Sequence, residues 1–123
     1  MGTLLWIISI ALVAAVTPLC YTYGLVRTMI NNNILQWIRV IDRYHYTLAV
    51  SFDQTGNVFA TYLFSDIMIK SSGHKFGNPD ETVSSVLGKN QMNKTLTWLG
   101  LSLVWVLDKI DRNHSIDAIE EDE

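Results

Sequence analysis

Residues 2–26 contain no charged side chain, and no other feature of the sequence constrains the fold as much. Leu4, Leu5, Trp6, Ile7, Ile8, Ile10, Leu12, Val13 and Val16 form the dense part of this run, and Tyr21, Tyr23, Leu25 and Val26 close it. A helix over residues 3–26 would be roughly 36 Å long, enough to cross a hydrocarbon core of about 30 Å with some tilt. Trp6 at one end and Tyr21 and Tyr23 at the other suit the two headgroup layers, where amphipathic rings collect. Pro18 would kink such a helix, a defect that membrane helices tolerate. The expectation is an anchor over residues 1–30 in which Leu4, Trp6, Ile7, Ile10, Leu12, Val13, Val16, Tyr21 and Tyr23 meet lipid. A cleaved signal peptide is the rival reading. It would have a basic leader and a shorter apolar core, whereas the first base here is Arg27. A buried helix of a soluble core fits less well, because the apolar character runs all round the helix.

Arg27, Arg39 and Arg43 follow the run, and only the amino terminus precedes it. The bias of basic residues toward the cytoplasm therefore predicts a cytoplasmic body and an external N-terminus. Ala11 and Ala15 make a small-xxx-small pair that would let two such helices approach, although alanines are common in any membrane helix. Cys20 is the only cysteine, which excludes an intrachain disulfide and a thiolate metal cluster. It follows Thr17-Pro18-Leu19, which is no lipidation signal, and Gly2 with Trp6 does not open a myristoylation motif.

The anchor leaves roughly 90 residues for a body, a size at which a single core is only marginally stable. The formal net charge of −3 hides an uneven distribution. Asp117, Glu120, Glu121, Asp122 and Glu123 form an acidic tail over residues 117–123, and the rest carries seven acids against nine bases. That balance gives no argument for nucleic acid. The predicted organisation is an anchor over 1–30, a small, mostly α-helical body over 31–116, and the tail.

Within the body, Asn31-Asn32-Asn33 is a polar break, and Asn33 is a good N-cap. Ile34, Leu35, Ile38, Ile41, His45 and Leu48 then recur at helical spacing, which predicts an amphipathic helix over 34–49. Leu48, Val50 and Phe52 alternate as in a strand, and residues 53–57 have the composition of a turn. Helical spacing returns from Val58 to Lys70, and whether Gly56 breaks a helix or lies inside one stays open. Residues 71–77 read as a loop. Asn78-Pro79-Asp80-Glu81 predicts a helix start, with Asn78 as cap, Pro79 at the first position, Glu81 bonding back to the Asn78 amide, and a stop at Gly88. Asn93 is expected to open the next helix. Its uncharged part, residues 95–107, is roughly 20 Å long, too short to span, so it either forms the core or lies in the membrane interface. Ser115 is expected to cap a last helix over 116–120.

Pro79-Asp80-Glu81-Thr82-Val83-Ser84-Ser85, followed by Leu87-Gly88-Lys89, resembles a motif in a family of small proteins encoded by tailed phages and prophages. The family's upstream Asp-Gln-x-x-Asn is matched by Asp53, Gln54 and Asn57. Its closing segment is matched by Leu107-Asp108-Lys109-Ile110-Asp111, His114, Ala118, Ile119 and Glu120. The likeness covers residues 52–120. It departs where the family has two glycines before the Pro-Asp-Glu, an Arg after the serine pair and a Cys after the His. Those places hold Gly77-Asn78, Val86 and Ser115, so no role needing that Arg or Cys carries over. The resemblance implies a phage source, a recurring fold and a helical Asp-Gln segment, but no particular chemistry.

Candidate chemistry is confined to His74, Asp80, Glu81, Ser84, Ser85 and His114. The two histidines with Asp80 or Glu81 lack the i, i+4 spacing of a helical metal motif. Asp80 and Glu81 as caps, with His114 on a neighbouring backbone, explain the same residues without a ligand. The serine pair lacks a Gly-x-Ser-x-Gly elbow, which leaves a hydrolase using Asp80, Glu81 and His114 as the minority reading. No cofactor or metal is expected. Trp98, Leu101 and Trp105 are the expected contact face. The functional expectation is a phage-encoded inner-membrane protein acting by contacts with lipid, another copy, or a phage or host membrane protein. A lysis-associated holin-like factor, its regulator and an exclusion protein all fit. The alternative is a structural or internal ejected protein of the virion.

Overall fold

The computed structural model describes residues 1–119; Glu120, Glu121, Asp122 and Glu123 of the acidic tail lie outside the described residues. Six helices follow one another among the described residues: α1 Gly2–Asn31, α2 Ile34–Phe59, α3 Leu63–Ile67, α4 Val83–Met92, α5 Trp98–Ile110 and α6 His114–Asp117. The chain is therefore mostly α, with a long apolar helix ahead of a small helical body. It divides into two compact units, Met1–Tyr46 and Thr47–Glu123, and the division falls inside α2 rather than near residue 30.

In the first unit, α1 buries none of its residues. Ser9 and Thr28 turn their hydroxyls onto the helix's own carbonyls of Leu5 and Gly24, each at 2.8 Å, so these polar groups need no outside partner. Pro18 lies inside the helix. The helix ends where Asn32 becomes extended. Asn33 then caps α2 reciprocally: its Oδ1 accepts the Gln36 amide at 3.0 Å, and Gln36 Oε1 accepts the Asn33 amide at 3.4 Å. Tyr21, expected at the lipid boundary, meets α2 instead. Its hydroxyl is 2.9 Å from His45 Nε2 and its ring stacks on Tyr44 and His45. Tyr23 remains exposed.

The second unit begins in α2, which runs unbroken to Phe59 with Gly56 inside it. The turn expected at 53–57 is absent because every backbone group there continues the helix. Ala60, Ile69, Phe76, Val86, Leu87, Leu96 and Val104 form the core, with Phe64 and Phe76 edge to face at 5.6 Å. An antiparallel bridge, Ile69 to Leu96, ties the chain after α3 to the segment before α5.

Several boundaries differ from expectation, each for a local reason. Helix α4 starts at Val83, because Thr82 Oγ1 accepts the Ser85 amide and so caps it. Asn78 instead closes a turn: its Oδ1 accepts the Asp80 amide and its carbonyl accepts the Glu81 amide. The helix does not stop at Gly88. A Cβ there would lie 1.9 Å from the Ser115 carbonyl oxygen, so this glycine is what lets α6 press against α4. Asn93 ends α4 rather than opening α5, whose cap is Thr97. Ser115 does not cap the last helix but sits fully buried within it, and Asn113 precedes α6 in a left-handed conformation. The core helix is α4, which buries Ser84, Ser85, Val86, Leu87, Gly88 and Asn90. Helix α5 buries only Gly100 and Val104.

Candidate functional site

The innermost side chains of the second unit include Glu81, Asn57, Asn90 and Ser85 beside Leu87 and Val86. Polar groups this deep are tolerated only when each finds a partner. Asn57 lies four residues after Asp53, on the same face of α2. Its Nδ2 donates to the carbonyls of Asn78 (3.0 Å) and Glu81 (2.7 Å), and its Oδ1 accepts the Gly77 amide at 2.9 Å. Gln54 reaches the Asp80 carbonyl at 3.3 Å. Asn90 does the same for the other end of the loop, exchanging bonds with the backbone of His74 and accepting from Thr95 Oγ1 at 2.6 Å. The loop between α3 and α4 is thus held in place by two buried asparagine amides.

Glu81 is 2% exposed and serves as the hub of an ion cluster. Its Oε2 is 2.8 Å from His74 Nε2, while Oε1 takes Lys89 Nζ and Ser85 Oγ, each at 2.9 Å. Burial alone would push this carboxyl up. The bonds from His74, Lys89 and Ser85, together with the charge on His74, outweigh burial and hold it below its ordinary value of 4.5. Glu81 is therefore no cap. Its neighbour Asp80 is exposed and contributes backbone bonds to the turn.

A second array joins α2, α4 and α6. Ser84 Oγ lies 2.9 Å from Asp53 Oδ2 and 3.2 Å from His114 Nε2, and His114 Nδ1 lies 3.2 Å from Asp111 Oδ2. His114 therefore bonds side chains, not the neighbouring backbone that the sequence suggested. Serine, histidine and aspartate in this order match part of a nucleophile–base–orienter pattern. The proton inventory points elsewhere. Ser84 has one hydroxyl hydrogen, and an ionised Asp53 can only accept it. The His114 contact then needs an N–H donated from Nε2. Ser84 is 5% exposed, and the α4 amides of Ser84 and Ser85 are taken by Asp53 and Thr82, so none of these groups faces a developing oxyanion. The geometry suits a fastener between three helices.

The two histidines are thus in separate clusters, His74 with Glu81 and His114 with Ser84 and Asp111. Among the described residues no group of three His, Cys, Asp or Glu side chains is placed to hold a metal ion. Asp53, Asn57 and Asp111, noted in the sequence only as parts of recurring motifs, join these clusters. Lys89 and Asn90 gave no chemical signal, since a lysine and an asparagine on a short helix usually face water. The segments around Asp53, Glu81 and His114 thus supply side chains to two polar clusters.

The third set of sequence candidates lies elsewhere. Trp98, Leu101 and Trp105 follow helical spacing along α5 and are 73%, 54% and 63% exposed. Lys109 extends the same line, its ammonium 5.2 Å from the Trp105 ring centroid. No family model, no curated protein and no solved structure matches the chain.

Proposed function

We propose that the chain is a phage-encoded, single-pass protein of the host inner membrane that acts through contacts rather than catalysis, as a lysis-associated factor, its regulator or an exclusion protein. The observation that carries this reading is α1: thirty residues, apolar enough to cross a bilayer and with no part of its apolar window buried against the protein. Such a surface is stable only against lipid or other apolar chains. The second unit's polar side chains support the non-catalytic half of the reading, because Ser84 is buried and its hydroxyl donates to Asp53. The phage source follows from the motif resemblance. Arg27, Arg39 and Arg43 favour a cytoplasmic C-terminal body.

The test is a phage lacking the gene, compared with its parent for lysis time and for plating on a host already expressing the protein. Altered lysis timing supports the lysis role, and blocked plating supports exclusion. If neither changes and purified parental particles contain the chain, the virion reading replaces this one. A reporter active only in the cytoplasm, fused after Glu123, should work. Activity of a periplasm-dependent reporter there would invert the topology or make residues 1–26 a signal peptide.

A further inference from the structure

Helix α5 presents two kinds of chemistry side by side. Its outward arc, Trp98, Leu101, Ser102 and Trp105, ends in Lys109, with the half-buried Asp108 at its Leu101 edge. Leu101 also lines a solvent-open cavity of about 230 Å³, together with Lys70, Asn90, Gln91, Lys94 and Leu96. Both lysines are exposed, and Lys70 Nζ donates to the Lys94 carbonyl at 3.1 Å, which holds the two residues together. Lys94 is fixed further by its left-handed backbone, φ 58°.

We infer that this face beds on the surface of an anionic phospholipid bilayer, with Trp98, Leu101 and Trp105 at the acyl boundary and a headgroup phosphate at the Lys70–Lys94 cavity. The inference rests on the membrane reading of α1 and names the contact made by the second unit. Indole rings favour the headgroup layer, where the ring is apolar and the N–H is wet. A helix with an aromatic arc and flanking lysines is the form that lies in an interface rather than crossing it. Lys109 can keep its stem along Trp105 while its ammonium reaches the phosphates. A second protein copy would instead have to leave three lysines beside a buried apolar patch. The anchor also supplies the lipid surface at high effective concentration, so a small face suffices.

The experiment uses the full chain in vesicles of phosphatidylcholine, with or without phosphatidylglycerol, carrying brominated acyl chains. Three single-tryptophan forms retain Trp6, Trp98 or Trp105, with phenylalanine at the other tryptophan positions. Quenching of Trp6 reports the anchor. Trp98 and Trp105 should also lose most of their emission in anionic vesicles. Replacing Lys70 and Lys94 together by Gln should lower the docked fraction's preference for anionic over neutral vesicles by about thirtyfold, the effect of two lysines near such a surface. Unquenched Trp98 and Trp105 beside a quenched Trp6 would overturn the inference and leave the anchor intact. Quenched Trp98 and Trp105 beside an unquenched Trp6 would do the reverse. Emission that escapes bromine at high protein-to-lipid ratio and is quenched only on dilution into lipid would assign the face to a second copy, against the inference. An unchanged anionic preference in the double Gln form would remove the headgroup site.

Discussion

In the first unit, apolar side chains stand on the outside. Leu12, Val13, Leu19 and Ile30 of α1 are exposed, and so are Ile34, Leu35 and Ile38 at the start of α2. In the second unit the interior contains a glutamate, two asparagines, a threonine and four serines, each type normally found at the surface. The contrast shows two ways of defining a structure in one short chain. On the membrane reading proposed above, the first unit takes its stability from the lipid around it. The second, too small for a large apolar core, is ordered by hydrogen-bonded clusters whose members fix one another's positions. The sharpest way to break the comparison is to remove the first unit's helix. The full chain should stay in the membrane pellet through an alkaline carbonate wash, and deleting residues 1–26 should release it, an all-or-none change. A soluble full-length chain would mean that α1 covers its surface in some other way.

The second side of the comparison is tested at Glu81. A Gln at this place cannot neutralise Lys89 and His74, and breaking a buried ion cluster of this kind costs about 3–5 kcal/mol. Asp80→Asn, one residue away and exposed, should change stability by no more than about 0.5 kcal/mol. Denaturant unfolding of the full chain in detergent micelles, followed by tryptophan emission, measures both. The pH dependence has a definite sign. Because the folded state lowers the Glu81 pKa below 4.5, its contribution is complete above that value and is lost as pH falls through the lowered one. Glu81→Gln should flatten that acid limb. Equal losses at Asp80 and Glu81 would return both to the role of helix caps.

In the first unit the long helix and the Asn33 cap were legible in the sequence, because the absence of charge over residues 2–26 and a capping asparagine are local signals, whereas the packing of Tyr21 on Tyr44 and His45 was not. The second was legible only in class. Asp53-Gln54-Thr55-Gly56-Asn57 has turn composition, yet it is helix, because Asp53 and Asn57 find partners from across the unit in place of their own backbone. Pro79 looked like a first helical residue. The cap of Thr82 on Ser85, and the Asx bond of Asn78 to Asp80, moved the start downstream. No spacing rule pairs Ser84 with His114 or Glu81 with His74, since those contacts depend on how the helices pack.

Gly88 carries the same lesson and gives the next largest effect. Its missing Cβ leaves room for the Ser115 carbonyl, and an alanine Cβ would stand 1.9 Å from that oxygen and 2.8 Å from Ile119 Cγ1. The obstacle is backbone, so α4 and α6 would have to part, which would stretch the Ser84–His114 contact. Gly88→Ala should destabilise by about 1–3 kcal/mol or more, despite alanine's better helix propensity. A stabilising outcome in the same unfolding assay would restore Gly88 as a simple helix end.

Gly56 should respond with the opposite sign. It too lies within a helix, but a Cβ there would meet only Val83 Cγ2, at 3.6 Å, which is ordinary contact. Its backbone is helical, so alanine adopts it without strain and loses less conformational freedom on folding. Gly56→Ala should therefore stabilise the second unit by about 0.5–1 kcal/mol, with no change in carbonate resistance. The effect is small, but its sign decides between two structures. Had residues 53–57 formed the turn that their composition suggests, alanine would remove the freedom the turn needs and stability would fall. A loss on Gly56→Ala would break α2 at this point. It would also separate Asp53 from Asn57, the i, i+4 pair through which this helix enters the polar clusters.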